Sequence, residues 1–351
     1  MYDLIVPMRK LLSPKPLFVV MSFLFVALIA LFVCFFFIIP KVPPYTGPVD
    51  HVTVGEEVEY GTLFAIAKEQ GFFAQNGLDV TLKEYASGAP AFADLLQGKI
   101  DMTDAADFVG VTNSFSSKNF TILGSVGTTT DAWEIISRTD HGIKTISDLR
   151  GKKIGVPPGT LGEFFLGNFL ILNQIARSDI QLVYLSPQDL AAALQSGDID
   201  SVMIFQPYAF NLRQQLGARV IEFPGQSDRL NYIVLYATDD LVKKRPDVAK
   251  RFVRSLVEAQ QFLQSNPTIL SGFMKRHFGY TDSYINSVIT TFSFYVGLEQ
   301  PMVSLMEDEA QWAIDNKVAA AKNTTRIPNY LNFIYFDALD SANTNAITII
   351  R

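Results

Sequence analysis

Residues 145–165 read TISDLRGKKIGVPPGTLGEFF, and the fold follows from how that stretch is punctuated. The pattern predicts a short helix start at Ser147 and Asp148, a turn at Gly151 and a buried strand Lys153–Val156. A Pro157-Pro158-Gly159 loop then leads into a helix opening near residue 160. A helix that begins just beyond the carboxyl end of a parallel strand turns its unpaired N–H groups, and the positive end of its dipole, toward whatever occupies that space. Ligands of α/β sheets collect there.

A repeat extends this unit in both directions. Leu96-Gln97-Gly98-Lys99-Ile100-Asp101 closes one helix and opens a strand, and about a hundred residues later Leu194-Gln195-Ser196-Gly197-Asp198-Ile199-Asp200 does the same. Each copy has a glycine where a helix end calls for a left-handed residue. Two copies of a βαβ-type unit predict an α/β chain of two similar lobes, each a small, mainly parallel sheet covered by helices. Strands in the second lobe are expected at 153–156, 181–185, 201–205 and 219–223, with 232–237 returning to the first lobe. From Asp239 onward the pattern is helical: Pro246 suits a helix start, and Val248, Phe252, Leu256, Ala259 and Leu263 line one face. These helices are expected to pack on lobe one, behind the cleft; the aromatic tail after Asn323 has no readable period.

Residues 17–39 carry no charge and would span about 34 Å as a helix, enough for a bilayer core. Arg9, Lys10 and Lys15 precede the run and only Lys41 follows closely. The basic flank predicts a cytoplasmic N-terminus and an exported remainder, held by an uncleaved single-pass anchor in the cell membrane. A cleaved signal peptide is the alternative, disfavoured by the length of the run and the absence of a small-x-small site after Ile39. The division expected is therefore 1–16 cytoplasmic, 17–39 transmembrane, 40–49 linker, 50–136 with 232–340 as a discontinuous first lobe, and 137–231 as the second.

Beyond residue 45, 25 of the 29 basic and 34 of the 35 acidic residues remain, net −9, which argues against a nucleic-acid partner. The single cysteine, Cys34, excludes an intrachain disulfide and a cysteine-based zinc cluster. His51, His141 and His277 have no metal-like spacing, and G-x-S-x-G, P-loop and G-x-G-x-x-G motifs are absent. No cofactor or metal is expected, and a binding protein is expected rather than an enzyme.

GFFAQNGLDV at 71–80, DLRGKKIGVPPGT followed by GEFFL, and LVYLSPQDLAAALQSGDIDSVMIFQP together resemble the substrate-binding proteins of ABC importers. The resemblance is to the nitrate/sulfonate/taurine and thiamine-pyrimidine group (NMT1/THI5-like, SsuA-like). It covers roughly residues 52–278 and identifies the family better than the ligand. It implies a two-lobed type II periplasmic-binding-protein fold, a periplasmic or extracellular binding domain, and delivery of a small molecule to an ABC permease and its ATPase. The cysteine-rich motif of the yeast-type pyrimidine synthases of this superfamily is absent, so a pyrimidine-synthesis enzyme is the second alternative.

Candidate ligand contacts are the strand-to-helix loops facing the space between the lobes. Lobe one supplies Glu57, Glu59, Tyr60, Ser87, Gly88, Asp104, Asp107, Thr129 and Trp133; lobe two supplies Thr160, Glu163, Gln206 and Tyr208. Each has a plainer reading: Asp104 and Asp107 as helix N-caps, Glu163 as a first-turn carboxylate, Glu57 and Glu59 in a solvated acidic loop, Trp133 as core. The loops offer several carboxylates and no Arg or Lys, and a buried carboxylate beside an anion is costly. A neutral or cationic nitrogenous ligand, such as a thiamine-pyrimidine precursor, is therefore expected, with an alkanesulfonate, taurine or nitrate as the alternative.

Overall fold

The computed structural model describes residues 45–57, 59–226 and 229–350. The expected anchor at 17–39, with its cytoplasmic flank and most of the linker, lies outside the described residues. Among the described residues no helix is long and apolar enough to cross a membrane.

Among the described residues eleven strands form: β1 Asp50–Glu57, β2 Leu78–Tyr85, β3 Met102–Ala106, β4 Phe120–Thr129, β5 Trp133–Arg138, β6 Lys153–Val156, β7 Gln181–Tyr184, β8 Ser201–Phe205, β9 Val220–Pro224, β10 Asn231–Thr238 and β11 Phe292–Ser293. The first-lobe helices are α1 Thr62–Glu69, α2 Phe72–Gln75, α3 Gly88–Leu96 and α4 Asp107–Ser114, and the second-lobe helices are α5 Leu161–Leu172, α6 Pro187–Ser196 and α7 Tyr208–Leu216. Then come α8 Asp239–Lys244, α9 Pro246–Ser265, α10 Ile269–Phe278, α11 Asp282–Ser287, α12 Gln300–Asp315 and α13 Phe336–Asn343.

The strands form a six-stranded sheet, β11-β4-β10-β3-β1-β2, and a five-stranded sheet, β7-β6-β8-β5-β9. Both are mixed rather than built from parallel pairs throughout. β1 pairs in parallel with β2 and β3, and β6 with β7 and β8, as the repeated βαβ units require. β10 runs antiparallel between β3 and β4, and β5 antiparallel between β8 and β9. The reason is topological: each of these strands arrives from the other lobe and enters its sheet from the edge opposite to that used by a helical crossover. The expected lobe boundary at residue 137 falls inside β5, because the second sheet takes up the chain from Trp133. Residues 133–136 therefore belong with the second lobe.

Gly98 and Gly197 close the two repeats at φ +68° and +85°, the left-handed values the helix ends required. The main apolar core runs from the first sheet through Phe108 and Phe164 to one face of the second sheet. A separate cluster, including Ile136, Leu190, Leu194, Val202 and Leu212, seals the other face of the second sheet under α6 and α7.

α9 starts at Pro246 and buries Val248, Phe252, Leu256 and Ala259, with Phe252 against Phe64 and Phe73 of lobe one. α12 departs from the expectation that all C-terminal helices lie on lobe one. Met302, Met306, Ala310 and Ala313 give it a buried stripe, but Trp312 projects to one side and meets Phe108 of α4 and Phe164 of α5, at ring centroid distances of 6.0 and 5.3 Å. The helix thus touches both lobes. The tail that sequence periodicity left unplaced returns to lobe one, where Phe333 stacks on Phe120 at 4.9 Å and Tyr335 N–H donates to Ile122 O.

Candidate functional site

The two sheets present the same kind of edge to each other. Glu57 ends β1, Ala106 ends β3 beside Asp107, Thr129 ends β4, and Asn231, opposite Thr129, begins the antiparallel β10. In the second sheet Val156 and Phe205 end β6 and β8, and Trp133 begins β5 opposite Phe205. The chain crosses between these edges twice, after Thr129 and after Pro224. Gln226 joins the crossings: its Oε1 accepts from Ala132 N–H at 2.8 Å, and its Nε2 donates to Thr129 O and Arg229 O at 2.7 and 2.6 Å. This is the hinge region of a two-lobed fold, and the strand-end space beside it is where α/β sheets hold ligands.

Acids dominate the first-lobe edge. Glu56, Glu57, Asp104 and Asp107 are all buried, the two aspartates completely. Asp104 Oδ1 accepts from Glu57 N–H at 2.9 Å. Asp107 accepts from Phe108 N–H through Oδ1 and from Tyr232 N–H through Oδ2, at 2.9 and 3.1 Å. Glu309 of α12, also fully buried, faces Asp107. Burial raises the pKa of every one of these carboxyls for which a shift is resolved, because a dry environment disfavours the charged form. Glu56 rises to about 7, with Glu84 adding to the effect. Asp104 rises well above the ordinary carboxylate range; burial lifts Asp107 to about 7 although a hydrogen bond from Glu309 opposes it, and Glu309 is raised by burial and further by the neighbouring Asp107. Three acceptor atoms along this edge, Glu56 Oε2, Asp104 Oδ2 and Asn231 Oδ1, are buried without a hydrogen-bond donor among the described residues.

The expected site residues divide between this edge and local structural roles. Tyr60 is buried beside the hinge, its hydroxyl receiving Asn231 Nδ2 at 3.0 Å and its ring 5.7 Å from Phe292. Thr129 Oγ1 lies 3.4 Å from Thr291 Oγ1. Gly88 opens α3 directly over β3: a Cβ there would fall 2.6 Å from that of Ala105 and 3.2 Å from Glu57 Oε2, while Ser87 precedes it, buried. The structure therefore brings Glu57, Tyr60, Gly88, Asp104, Asp107 and Thr129 to one edge. The side chain of Glu59 lies outside the described residues.

On lobe two the residues are tied into the fold. Trp133 is only 3% exposed and packs on Gly162, Phe165 and Phe205, as part of the core; its Nε1 is buried without an acceptor. Thr160 Oγ1 donates to Pro157 O, and Glu163 Oε1 accepts from Gly159 N–H at 2.7 Å, closing the loop before α5. Gln206 bonds Glu134 and Phe210 N–H, and the Tyr208 ring stands edge-on to Phe205. Burial raises the pKa of Glu163, and likewise that of Glu134, against the Arg213 guanidinium.

Sequence reasoning missed Gln226, Asn231, Glu309 and Trp312. Gln226 and Asn231 flank a segment with no periodicity. Glu309 and Trp312 sit on a helix remote in sequence from every strand end, and the signal available was a carboxylate inside an otherwise apolar stripe. Among the described residues no group of three or more His, Cys, Asp or Glu is placed to hold a metal ion.

The NMT1/THI5-like family matches residues 59–269. A chain of Brucella abortus named only as a binding protein is 28% identical over 224 residues, covering 62% of this chain and 68% of its own. The taurine-binding periplasmic protein of Escherichia coli is 25% identical over 224 residues, with the same coverage of 62% and 68%. Among solved structures, the alkanesulfonate-binding protein SsuA from Xanthomonas axonopodis pv. citri, bound to MOPS, superposes with a TM-score of 0.69 at 17% identity, covering 83% of this chain and all of that one. The last likeness concerns the fold, which is that of the periplasmic binding proteins: two α/β lobes joined by crossing strands.

Proposed function

Because the chain belongs to the NMT1/THI5-like family, we propose that it is an extracytoplasmic solute-binding protein that captures a small molecule between its lobes and passes it to an ABC permease and its ATPase. The ligand is a neutral or cationic nitrogenous molecule, such as an aminopyrimidine. It seats its N–H groups on the acid-lined strand-end edge of lobe one, against Tyr60, Asp104, Asp107 and Asn231.

One observation carries the ligand class: Glu56 Oε2, Asp104 Oδ2 and Asn231 Oδ1 are buried oxygens with no hydrogen-bond partner in the described chain, and the two carboxyls, kept from ionising by burial, become charged acceptors once a cationic N–H group is brought to them. A buried acceptor left unmade costs about 1–3 kcal/mol, so a ligand that donates to it gains more than one that merely fills space. The buried basic side chains are engaged elsewhere: Arg138 holds Asp140 and the carbonyls of Leu194 and Gln195, and Arg251 holds Asp50, Asp247 and the carbonyls of Asn76 and Gly77. Neither stands at the edge to receive an anion. Closure follows from the two-lobed arrangement, since only contacts that differ between open and closed states shift that equilibrium.

A second reading, an alkanesulfonate or taurine, is favoured by the names of relatives such as the taurine-binding protein. Taurine would meet the acids with its ammonium and needs a separate seat for its sulfonate. The test is a thermal-shift screen of the chain against aminopyrimidines, thiamine, polyamines, taurine, alkanesulfonates and nitrate, because a ligand of the native state raises the midpoint with ln(1 + [L]/Kd). Nitrogen bases should raise it. A rise with sulfonates alone would reject the nitrogenous ligand and leave the receptor reading standing.

A further inference from the structure

A cavity of about 610 Å³ opens where α4, α5 and the end of α12 meet, and of the expected site residues only Glu163 lines it. It is set apart from the acid-lined edge. α4 begins at that edge with Asp107, whereas the cavity touches Thr112, Asn113 and Ser116, roughly 8 Å or more along the helix axis. The volume falls within the range of small-molecule sites.

Its chemistry is two-sided. Leu170, Ile175, Val318 and the Trp312 ring make an apolar wall. Trp312 lies so close on α5 that a Cβ on Gly167 would fall 2.3 Å from its Cζ2, and its Nε1 is buried without an acceptor. Arg177 and Lys317 also line the space. Arg177 Nη2 donates to Tyr184 Oη at 3.0 Å, and Arg177 and the Tyr184 hydroxyl both favour the charged form of Glu163, so Arg177 is partly balanced; among the described residues neither Arg177 nor Lys317 forms a direct salt bridge. Glu163 is already engaged by Gly159 N–H and feels Arg177. The unmet groups are therefore donors and cations, the reverse of the strand-end edge.

We infer that this cavity is a second binding site, one that takes an amphipathic acid whose apolar body lies on Trp312, Leu170 and Ile175 and whose singly charged oxyanion head meets Arg177 and Lys317. Because its walls come from both lobes and from α12, a bound molecule cements the seam that lobe opening must break. The inference stands apart from the nitrogenous ligand proposed for the strand-end edge.

The chain has two tryptophans, Trp133 and Trp312, so fluorotryptophan labelling of the full chain in nanodiscs gives two fluorine resonances, assigned with Trp312→Phe. Hexanoate is the probe, with hexanol and hexylammonium as controls and empty nanodiscs as the blank. Hexanoate should shift the Trp312 resonance saturably, leave Trp133 in place, and bind more tightly than either control. Arg177→Met with Lys317→Met should weaken it about tenfold or more, as expected for the loss of charge-assisted contacts. No saturable shift, equal binding of all three head groups, or unchanged affinity in the double variant would overturn the site. Competition between hexanoate and a nitrogenous ligand would also overturn it, by making the cavity the mouth of the strand-end site. If hexanoate binds at Trp312 while no nitrogen base binds anywhere, the cavity stands and the strand-end ligand reading fails alone.

Discussion

Asp101 and Asp200 hold the same position in the two lobes, bond for bond. Asp101 Oδ2 accepts from Thr53 N–H at 2.8 Å, its own N–H donates to Thr53 O, and its carbonyl receives Thr238 N–H. Asp200 repeats this with Lys153 N–H at 2.8 Å, Lys153 O and Arg138 N–H. Each aspartate thus fixes the first strand of its lobe to the strand that arrives from the other lobe, the junction a two-lobed receptor must keep rigid while its hinge bends. Asp101→Ala and Asp200→Ala should each cost about 1–3 kcal/mol, and the Asn variants, which keep an acceptor, less. Urea unfolding would measure both, and an aspartate whose removal left the midpoint unchanged would have no such role.

Stability should rise as pH falls from 8 toward about 5. Glu56, with a folded pKa of about 7 against an ordinary 4.5, binds its proton more tightly in the native state, so its contribution is fully present below 4.5 and lost as pH climbs through 7. Asp104 shifts in the same direction. Asp200, held low by Lys153 N–H and His141 against the opposing effect of burial, acts in the opposite sense: its contribution is lost as pH falls through its lowered pKa. Thermal midpoints across pH should show a maximum between these limbs, with Glu56→Gln flattening the upper one. A midpoint that rose steadily to pH 8 would contradict the assignment.

Gly167→Ala should separate α5 from α12. The new methyl would fall 2.3 Å from Trp312 Cζ2, and overpacking of this kind costs about 1–3 kcal/mol. In the background of Trp312→Leu the cost should largely vanish, so a double-mutant cycle reads the contact directly. Additive losses would mean that the two side chains do not meet.

Gln226→Ala should loosen the hinge more than it unfolds either lobe. It deletes two hydrogen bonds between the crossings and a third within the second crossing, worth about 1–3 kcal/mol together once water replaces them. Hydrogen exchange should speed up at residues 129–132 and 226–231 first. Uniform acceleration across both sheets would instead mark Gln226 as ordinary core.

The sequence carried the fold where its local rules had no competitor. Gly98 and Gly197, the strand Lys153–Val156 and the apolar stripe of α9 all read correctly, because a left-handed helix end or a repeat of 3.6 residues depends on few distant contacts. It did not reach what depends on the path of the chain between lobes: β5, the antiparallel direction of β10, whose strand it did read, and α12 extending across to Phe164. The candidate site was legible to the extent that strand ends were legible, which is why Glu57, Asp104, Asp107 and Thr129 fall together. Trp133 shows the opposite case. Its position in a loop-like run made it a candidate ligand contact, but Gly162 leaves room for the ring to pack inward, so Trp133→Ala should destabilise by about 3–5 kcal/mol.

The most direct test of the account is an equilibrium titration of the full chain with an aminopyrimidine, taurine and an alkanesulfonate, in wild type and in Asp104→Asn. Asp104 offers a buried carboxyl oxygen with no hydrogen-bond partner among the described residues, and burial keeps that carboxyl from ionising until a cation is brought to it. The account predicts that the nitrogen base binds as its cation against an ionised Asp104 and that Asp104→Asn weakens it by about tenfold or more, the loss expected for a charge-assisted hydrogen bond. Binding by the sulfonates alone, with affinity unchanged or improved in Asp104→Asn, would contradict it.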